Sequence, residues 1–481
     1  MDVYNNAIND FGFGGSMSVG NVDAEALSKA LSAGDSANPA GMGTGGNTLQ
    51  YESLEAQLIS ALAERVEDFK LMKLQPKNSV GSTVHQYTTA VDSGSYEGLG
   101  TAELGAPIES TSEFARNTRN IKYFQTKREA SVQANTLNPI VGGQNGEAVE
   151  ERLGTHVMLK GTEYYCFHGN EATSPNLPSG YPAQIRSEAS QNVFDMGGLK
   201  VSDTGGDAKI ESAIGSIFEQ GGEVSDIFFP PNIALDWQNL LKDRQRFNED
   251  SKVAGMNIAM YQTMFGPAIN IAGRAGIDKM YKIKVRPTAS TLTTLRPTAP
   301  TFALAAQAVT GTGTGFVTAT AGTYRYTVFA IDASGLISDA AAEYNEAVAD
   351  GEEVQVTITR GAAVGGAYAT GYIVCRGKKD ETTGTDVREM YKVAASGITA
   401  TVTLDQNDEY PGTAEMLLLT SNGVEPTYQW DSFLDLRRFN LGATRASIPF
   451  LLLWFGTPDL KVAKFNGIIK NVGHAGVSGW F

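Results

Sequence analysis

Residues 80–132 read VGSTVHQYTTAVDSGSYEGLGTAELGAPIESTSEFARNTRNIKYFQTKREASV, and this segment carries the strongest structural signal in the chain. Polar and apolar residues alternate over 80–86 and again around Ile121, which is the pattern of two β-strands. Residues 92–108 between them are rich in glycine and too long for a tight turn. The segment therefore predicts a long ribbon of two strands with a loose tip. A two-stranded ribbon is marginally stable by itself, so we expect it to lie on something else.

The segments on either side of this ribbon predict helices. Residues 52–75 carry apolar side chains at spacings of three and four, and Pro76 ends the run. Residues 146–168 predict a second helix, in which Gly154 and Gly161 fall on one face, seven positions apart. Because glycine has no side chain, this face would let another backbone approach closely.

The first 50 residues differ from both helices, because they are rich in glycine, serine, asparagine and alanine and show little periodic hydrophobicity. Such a segment buries too little apolar surface to offset the entropy that it loses on ordering. We therefore expect residues 1–50 to form a flexible arm unless a partner holds them.

The second half of the chain begins with a region of mixed helix and strand character. After a loop-rich segment at 170–206, helices are expected at 209–220 and 233–247, with strands at 224–229 and 282–285. The mixed character returns near the end of the chain, where strands are expected at 448–455 and 465–472.

An all-β segment over residues 297–424 separates these two mixed regions. Proline, threonine and alanine accumulate at 286–300, which is the composition of a linker. The expected strands lie at 323–330, 353–359, 371–375 and 400–404. Turn residues divide them, which predicts an immunoglobulin-like or fibronectin-like sandwich. Since both flanking regions must close one core, we expect the sandwich to be an insertion.

The charge of the chain is unevenly distributed. The 481 residues include 38 Lys and Arg against 53 Asp and Glu, a net charge of −15. This acidity argues against a protein that grips nucleic acid, which normally carries a basic excess. Residues 297–424 carry −8 and residues 1–50 carry −4, so the remainder carries only −3. An outward-facing sandwich would thus give an assembly an acidic coat.

Several classes of function are disfavoured by what the sequence lacks. Cys166 and Cys375 form no CxxC pair, and only four histidines are present, which disfavours a disulfide scaffold or a metal site. No common catalytic or nucleotide-binding motif occurs. The start of the chain does not resemble a secretion signal, and the longest apolar run, 448–455, is too short to span a membrane. We expect a soluble, non-enzymatic protein made in a cytoplasm, with no cofactor and no metal.

Short motifs follow one another in a distinctive order along the chain. They are Ser82-Thr-Val-His-Gln-Tyr87, Glu103-Leu-Gly-Ala-Pro107, Asn120-Ile-Lys-Tyr123, Phe167-His-Gly-Asn170, Phe228-Phe-Pro-Pro231 with Asp236-Trp237, Leu451-Leu-Leu-Trp-Phe-Gly456 and Ile468-Ile-Lys-Asn-Val472. The series resembles the major capsid proteins of tailed bacteriophages with the Hong Kong 97-type fold. More narrowly, it resembles the branch from large contractile-tailed phages that carries an Ig-like insertion.

The resemblance implies an α+β fold with named divisions. They are a flexible arm at 1–50, an N-terminal helix region at 51–81, an E-loop at 82–125, a P-domain with a spine helix at 126–206, an A-domain at 207–296, the Ig-like insertion at 297–424 and closing strands at 425–481. The family's namesake cross-links its shell through a loop lysine, but residues 92–109 contain no lysine, so that chemistry is not expected here.

The resemblance also implies a function in assembly. Copies would form pentamers and hexamers of an icosahedral shell that encloses double-stranded DNA without sequence-specific binding, and the protein would reside in the virion. Scaffolding, portal and decoration proteins are the further partners implied, and no membrane is involved. We expect the basic return strand of the ribbon, with Arg116, Arg119 and Lys122, to contact adjacent subunits, together with Glu103.

Two other classes remain open at this level. One is a different self-assembling protein with an Ig-like domain, such as a tail-tube, adhesion or surface-layer subunit, although such a protein would not need the helices at 52–75 and 146–168. The other is an enzyme with an attached carbohydrate-binding sandwich, which would require a catalytic pair within 50–290 that the sequence does not reveal.

Overall fold

The computed structural model describes a large part of the chain from Phe69 onward. The described residues are 69–94, 97, 100–101, 103, 105, 109–132, 146–241, 260–271, 275–310, 313–382, 386–397, 400–421, 427–443, 445–477 and 480. All of them belong to one compact unit, formed by 61–140 and 144–481. The predicted arm at 1–50 and most of the predicted helix at 52–75 lie outside the described residues.

The described residues form both helices and strands, which confirms the α+β class. The α-helices are α1 (Lys70–Leu74), α2 (Gly146–His168), α3 (Tyr181–Glu188), α4 (Gly206–Glu219) and α5 (Pro231–Leu241). Short 3-10 helices lie at Ser190–Asn192, Ala463–Phe465 and Ala475–Val477.

The first half of the described chain contributes nine strands. They are β1 (Lys77–Ser79), β2 (Val84–Asp92), β3 (Glu113–Asn120), β4 (Lys122–Ser131), β5 (Val193–Asp195), β6 (Val224–Phe229), β7 (Met260–Tyr261), β8 (Ile269–Asn270) and β9 (Gly276–Ile277). The second half contributes β10 (Thr301–Ala308), β11 (Gly322–Ile331), β12 (Tyr344–Val348), β13 (Glu352–Thr359), β14 (Gly371–Gly377), β15 (Val387–Ala394), β16 (Thr401–Asp405), β17 (Ala414–Thr420), β18 (Tyr428–Asn440), β19 (Ser447–Leu460) and β20 (Gly467–Val472).

Helix α2 spans the predicted residues and packs on a four-stranded sheet in the order β1–β18–β19–β4. Gly154 allows this close packing, because a Cβ there would lie 2.6 Å from Leu452 Cδ1 of β19. At Gly161 no heavy atom lies within 4 Å of the same position, apart from the helix's own nearby backbone, so nothing described approaches it. A neighbouring group therefore approaches closely at Gly154 but not at Gly161, and that group is the Leu452 side chain rather than another backbone.

A second sheet follows the order β5–β20–β17–β6–β8–β7, with β9 beside β6. Its central strands are nearly continuous runs of buried residues because helices and loops cover both faces. Alternate residues enter two different cores. One core receives Phe228, Leu417 and Ile468, and the other receives Ile227, Leu418 and Ile469.

Two further antiparallel sheets, β10–β13–β16 and β12–β11–β14–β15, pack on a shared apolar core that includes Tyr326, Val356 and Tyr372. We call this two-layer part the sandwich. Strand β17 lies inside the range predicted for the insertion, 297–424, but it pairs with β6 and β20 of the second sheet. The predicted domain boundaries remain predictions.

Strands β2 and β3 form a separate two-stranded sheet, which we call the ribbon. The alternation in the sequence suggested one continuous return strand, but the strand breaks at Ile121. Residues Lys122–Ser131 leave the ribbon and pair along β19 instead. Alternation signals a strand but does not identify its partner, which is why the break was missed.

The predicted strand at 282–285 is wrong, since these residues form no regular ladder. Their backbone makes isolated hydrogen bonds, such as that from the Lys284 N–H to the Thr413 carbonyl at 3.2 Å. Both cysteines, Cys166 and Cys375, are buried free thiols. Within the part of the chain that the structure describes, no helix has the length and apolar character that crossing a membrane requires.

Candidate functional site

The two faces of the ribbon have different surroundings. His85, Tyr87 and Arg119 are half-buried, whereas Arg116 is exposed. In the register of the ribbon, His85 lies directly opposite Arg119, and Thr88 lies opposite Arg116. Because successive side chains of a strand point to opposite faces, His85, Tyr87 and Arg119 share the face that meets the rest of the described chain.

Asp459, near the end of β19, is the main partner of that face. Its Oδ1 accepts hydrogen bonds from Arg119 Nε at 2.8 Å and from the Tyr87 hydroxyl at 3.2 Å. Arg119 Nη2 also contacts Glu188 Oε1, at the end of α3, at 2.6 Å. Arg119 therefore joins the ribbon to a sheet and to a helix through two carboxylates.

Lys461 completes the contacts at the base of the ribbon. Its Nζ lies 2.6 Å from Asp459 Oδ2 and 3.6 Å from Asp431 Oδ2. His85 Nε2 lies 3.0 Å from the same ammonium group. The centre of the Tyr87 ring lies 3.9 Å from Nζ, which adds a cation–π contact. We call the whole set the ribbon anchor; it comprises His85, Tyr87, Arg119, Glu188, Asp431, Asp459 and Lys461.

The electrostatics of the ribbon anchor follow from burial and from its cations. Burial disfavours the ionised form of Asp459, but the hydrogen bond and charge of Lys461, with those of Arg119, lower its pKa below the usual range. Burial raises the pKa of Asp431, whose Oδ1 accepts a hydrogen bond from Asn78 Nδ2 at 2.9 Å. Asp459 is thus firmly ionised, whereas Asp431 is harder to ionise.

The ribbon anchor is built to hold the ribbon in place. Burial, followed by the charge of Asp459, raises the pKa of Tyr87, so its hydroxyl stays protonated and available as a donor. One potential ligand atom from each of His85, Asp431 and Asp459 lies within 4.8 Å of the other two, which is the spacing of a candidate cation site. The Lys461 ammonium contacts all three of these residues.

A second group of charges lies at a cavity of about 500 Å³ between α3, β15 and the segments that enter and leave the sandwich. Lys284, before the sandwich, contacts Glu409, after it, at 2.5 Å. Glu415 on β17 contacts Lys284 at 3.2 Å and Arg186 at 2.6 Å. Burial opposes ionisation of Glu415, but Arg186 and Lys284 lower its pKa far below the usual range. These pairs hold the two connecting segments together.

The four residues predicted to contact adjacent subunits fall into two groups. Arg119 belongs to the ribbon anchor, and Lys122 Nζ contacts Glu171 Oε1 at 2.7 Å, so both have partners within the chain. Arg116 and Glu103 are exposed. Their contact with other subunits remains a prediction for all four.

Most of the ribbon anchor was not predicted from the sequence. Two weak signals were available: His85 and Tyr87 are two residues apart on one strand, and Asp459 and Lys461 are two residues apart where an apolar strand ends. His85 and Tyr87 must share a strand face, whereas Lys461 lies just beyond the last residue of β19. Nothing in the sequence shows that the two faces meet.

Comparisons with other proteins agree with the resemblance drawn from the sequence. No protein-family model matches the chain. The "Putative major capsid protein" of Enterococcus phage phiEF24C is 24% identical over 390 residues, which cover 77% of this chain and 78% of the phage protein.

Two solved structures are similar to this chain at low sequence identity. The capsid of a native GTA particle covers 91% of this chain and 100% of its own at 10% identity, with a TM-score of 0.45. A structure from Gordonia phage Cozz covers 90% of this chain and 97% of its own at 11% identity, with a TM-score of 0.42. The likeness in sequence, which extends over most of both chains, confirms that this chain resembles the major capsid proteins of tailed bacteriophages.

Proposed function

We propose that this protein is the major capsid protein of a tailed bacteriophage and that it has the Hong Kong 97-type fold. Copies assemble as pentamers and hexamers into an icosahedral shell that encloses double-stranded DNA. The observation that carries the proposal is the likeness to the phage phiEF24C protein over 77% of this chain. In this proposal the protein resides in the virion, and scaffolding, portal and decoration proteins are its further partners.

The ribbon supports self-assembly, because two strands alone are marginally stable. One of its faces is held by the ribbon anchor, and the other is exposed; on it, Phe114 is 65% exposed and Val84 is 42% exposed. Arg116 lies on this exposed face. A face that combines apolar and basic side chains suits burial against an adjacent copy. The exposure of Arg116 and Glu103 supports them as inter-subunit contacts.

The ribbon anchor supports the same function by fixing the direction of the ribbon. A closed ring of subunits requires each copy to present its contact surface at a defined angle. His85, Tyr87 and Arg119 attach only the face that meets the rest of the chain, so the opposite face stays available.

We further propose that the sandwich is an Ig-like domain inserted into the capsid fold and facing outward. Its two antiparallel sheets around one core agree with that architecture. The excess of 15 acidic over 7 basic side chains in 297–424 would give the particle an acidic surface that keeps particles apart.

Expression of the full chain followed by negative-stain microscopy tests the proposal. We expect closed shells, or capsomers that close into shells when scaffolding protein is supplied. Tubes or flat sheets would instead support a tail-tube or surface-layer subunit. Monodisperse particles of one subunit's size under both conditions would contradict the proposal.

A further inference from the structure

The Lys461 ammonium lies where three electron-pair donors converge. Its Nζ is 2.6 Å from Asp459 Oδ2, 3.0 Å from His85 Nε2 and 3.6 Å from Asp431 Oδ2. An ammonium group can only donate hydrogen bonds. In this contact His85 Nε2 is therefore the acceptor of the hydrogen bond. One nitrogen and two carboxylate oxygens thus surround a single cation position.

We propose that this position is a binding site for a divalent transition-metal ion of the Zn²⁺ class, in competition with Lys461. Zinc takes imidazole nitrogen and carboxylate oxygen as ligands, and a site with three protein ligands keeps a fourth position for water. Calcium and magnesium prefer oxygen ligands alone, so His85 selects against them.

Asp431 provides an independent observation, because one of its buried oxygens has no hydrogen-bond donor among the described residues. Its side chain has no exposed surface, and Oδ2 accepts no hydrogen bond from any residue within the described ranges. Lys461 and His85 both lie more than 3.5 Å from this oxygen. A buried carboxylate oxygen without a donor is costly, and an inner-sphere metal bond would satisfy it.

The charge of the ribbon anchor also favours a divalent ion. The anchor has three acidic groups, Glu188, Asp431 and Asp459, against the two basic groups Arg119 and Lys461, which is an excess of one acid. If a divalent ion replaces the ammonium and the Lys461 side chain turns to solvent, the excess is neutralised. The side chains of Lys461 and His85 are 17% and 19% exposed, so the ion can enter from solvent and the ammonium can leave to solvent on this side.

The geometry requires only a modest contraction. The three ligand atoms lie within 4.8 Å of one another, and tetrahedral zinc bonds of about 2.1 Å would bring them to about 3.4 Å. His85 belongs to the ribbon, whereas Asp431 and Asp459 belong to β18 and β19. A bound metal would therefore fasten the ribbon to the sheet. A consequence of this fastening for shell assembly would depend on the proposed capsid function, whereas metal binding itself does not.

Metal titration of the full chain tests the site directly. After chelator treatment and dialysis, Zn²⁺ binding is measured by calorimetry, and Co²⁺ binding is followed by visible absorption, which reports nitrogen and oxygen ligands in a tetrahedral site. We expect one ion per chain, with at least a tenfold loss of affinity in His85→Gln and in Asp431→Asn. Lys461→Met should bind at least tenfold more tightly, because the competing ammonium is removed.

His474→Gln is the matched control, because His474 contacts the Gly412 carbonyl and lies outside the ribbon anchor. It should bind as the unmodified chain does. Circular dichroism of each variant checks that it is folded, and Lys461→Met keeps the test decisive if His85→Gln does not fold. No binding by the unmodified chain, binding that survives His85→Gln, or affinity unchanged in Lys461→Met would each overturn the proposal.

Discussion

Arg119 and Asp459 are 340 positions apart in the chain, yet Arg119 Nε donates a hydrogen bond to Asp459 Oδ1 across 2.8 Å. This contact joins the ribbon to the end of β19 in a place where Asp459 has no exposed surface. It converts a marginal two-stranded sheet into a fixed projection of the protein.

Asp459→Asn should destabilise the protein strongly. The change removes one charge but leaves Arg119 and Lys461 in place, and breaking one side of a buried ion pair typically costs about 3–5 kcal/mol. Urea unfolding followed by tryptophan fluorescence measures the loss. Glu129→Gln is the control, because its partner Arg445 is 73% exposed and exposed pairs contribute little. Equal effects of the two changes would contradict the role of the ribbon anchor.

Arg116→Glu should lower the yield of assembled particles without changing the stability of the subunit. Arg116 is exposed on the free face of the ribbon, and a reversed charge at an interface costs several kcal/mol. Particle yield from gradient sedimentation and the thermal midpoint of the subunit are measured together. Normal particles would contradict the inter-subunit contact.

Arg119→Glu, unlike Arg116→Glu, should lower the stability of the subunit itself. The new carboxylate would lie beside Asp459 and Glu188, which now bind the guanidinium. We therefore expect a lower thermal midpoint of the subunit itself. If this variant melts like the unmodified chain and fails only in assembly, then Arg119 acts between subunits and its contacts within the chain are incidental.

The two glycines of α2 should respond differently to alanine. A Cβ at Gly154 would lie 2.6 Å from Leu452 Cδ1 and 3.2 Å from Arg128 Cγ, and overpacking of this kind costs about 1–3 kcal/mol. No heavy atom of another described residue lies within 4 Å of a Cβ at Gly161, apart from the helix's own nearby backbone, so Gly161→Ala should stabilise the helix by about 0.5–1 kcal/mol. Denaturant unfolding of both variants checks the difference in sign.

Stability should fall as the pH rises, because of Glu163. Burial, then the hydrogen bond with Asp278 and its charge, raise the pKa of Glu163 to about 10 from an ordinary value of 4.5. A raised pKa in the folded state gives stability that is complete below about pH 4.5 and is lost as the pH approaches 10. Thermal midpoints of the unmodified chain should therefore decline between pH 7 and pH 9, where the histidines no longer titrate in the unfolded state.

Glu163→Gln should flatten that decline, since the neutral amide has no proton to lose. Glu163 now accepts the backbone N–H of Leu71 at 3.0 Å, and the carbonyl oxygen of the substituted amide can keep that bond, so the variant should still fold. Burial lowers the pKa of His168 to about 3 from an ordinary value of 6.5, so above pH 7 this residue is neutral in both the folded and the unfolded state and adds no slope there. Parallel pH profiles for the two proteins would contradict the assignment.

The elements that the sequence predicted well are those whose signal is local. Helix α2 was predicted over its whole length because a 23-residue helix shows several turns of periodicity. Strand β6 was predicted at its observed bounds, since a short apolar run between turns suits a strand buried on both faces. The strand expected at 282–285 failed because local alternation does not provide a partner strand.

The ribbon shows that a local sequence pattern predicts a strand but not the strand that it pairs with. Alternation runs on from β3 into β4 with little change, but β3 pairs with β2 and β4 pairs with β19. Strand propensity is a property of a few consecutive residues, whereas pairing depends on which apolar faces remain to be covered in the folded chain. The split at Ile121 could be seen only once β19 was in place.

The amino-acid order therefore established the α+β class, the main helix, the all-β segment and the likeness to phage capsid proteins, because each depends on residues close together or on their succession along the chain. The ribbon anchor depended on folding. Nothing in the sequence marks His85, Asp431 or Lys461 as members of one site, and they become a charged cluster and a proposed metal site only when distant strand ends meet away from water. Burial gives those contacts their strength, and burial is a property of the folded chain as a whole.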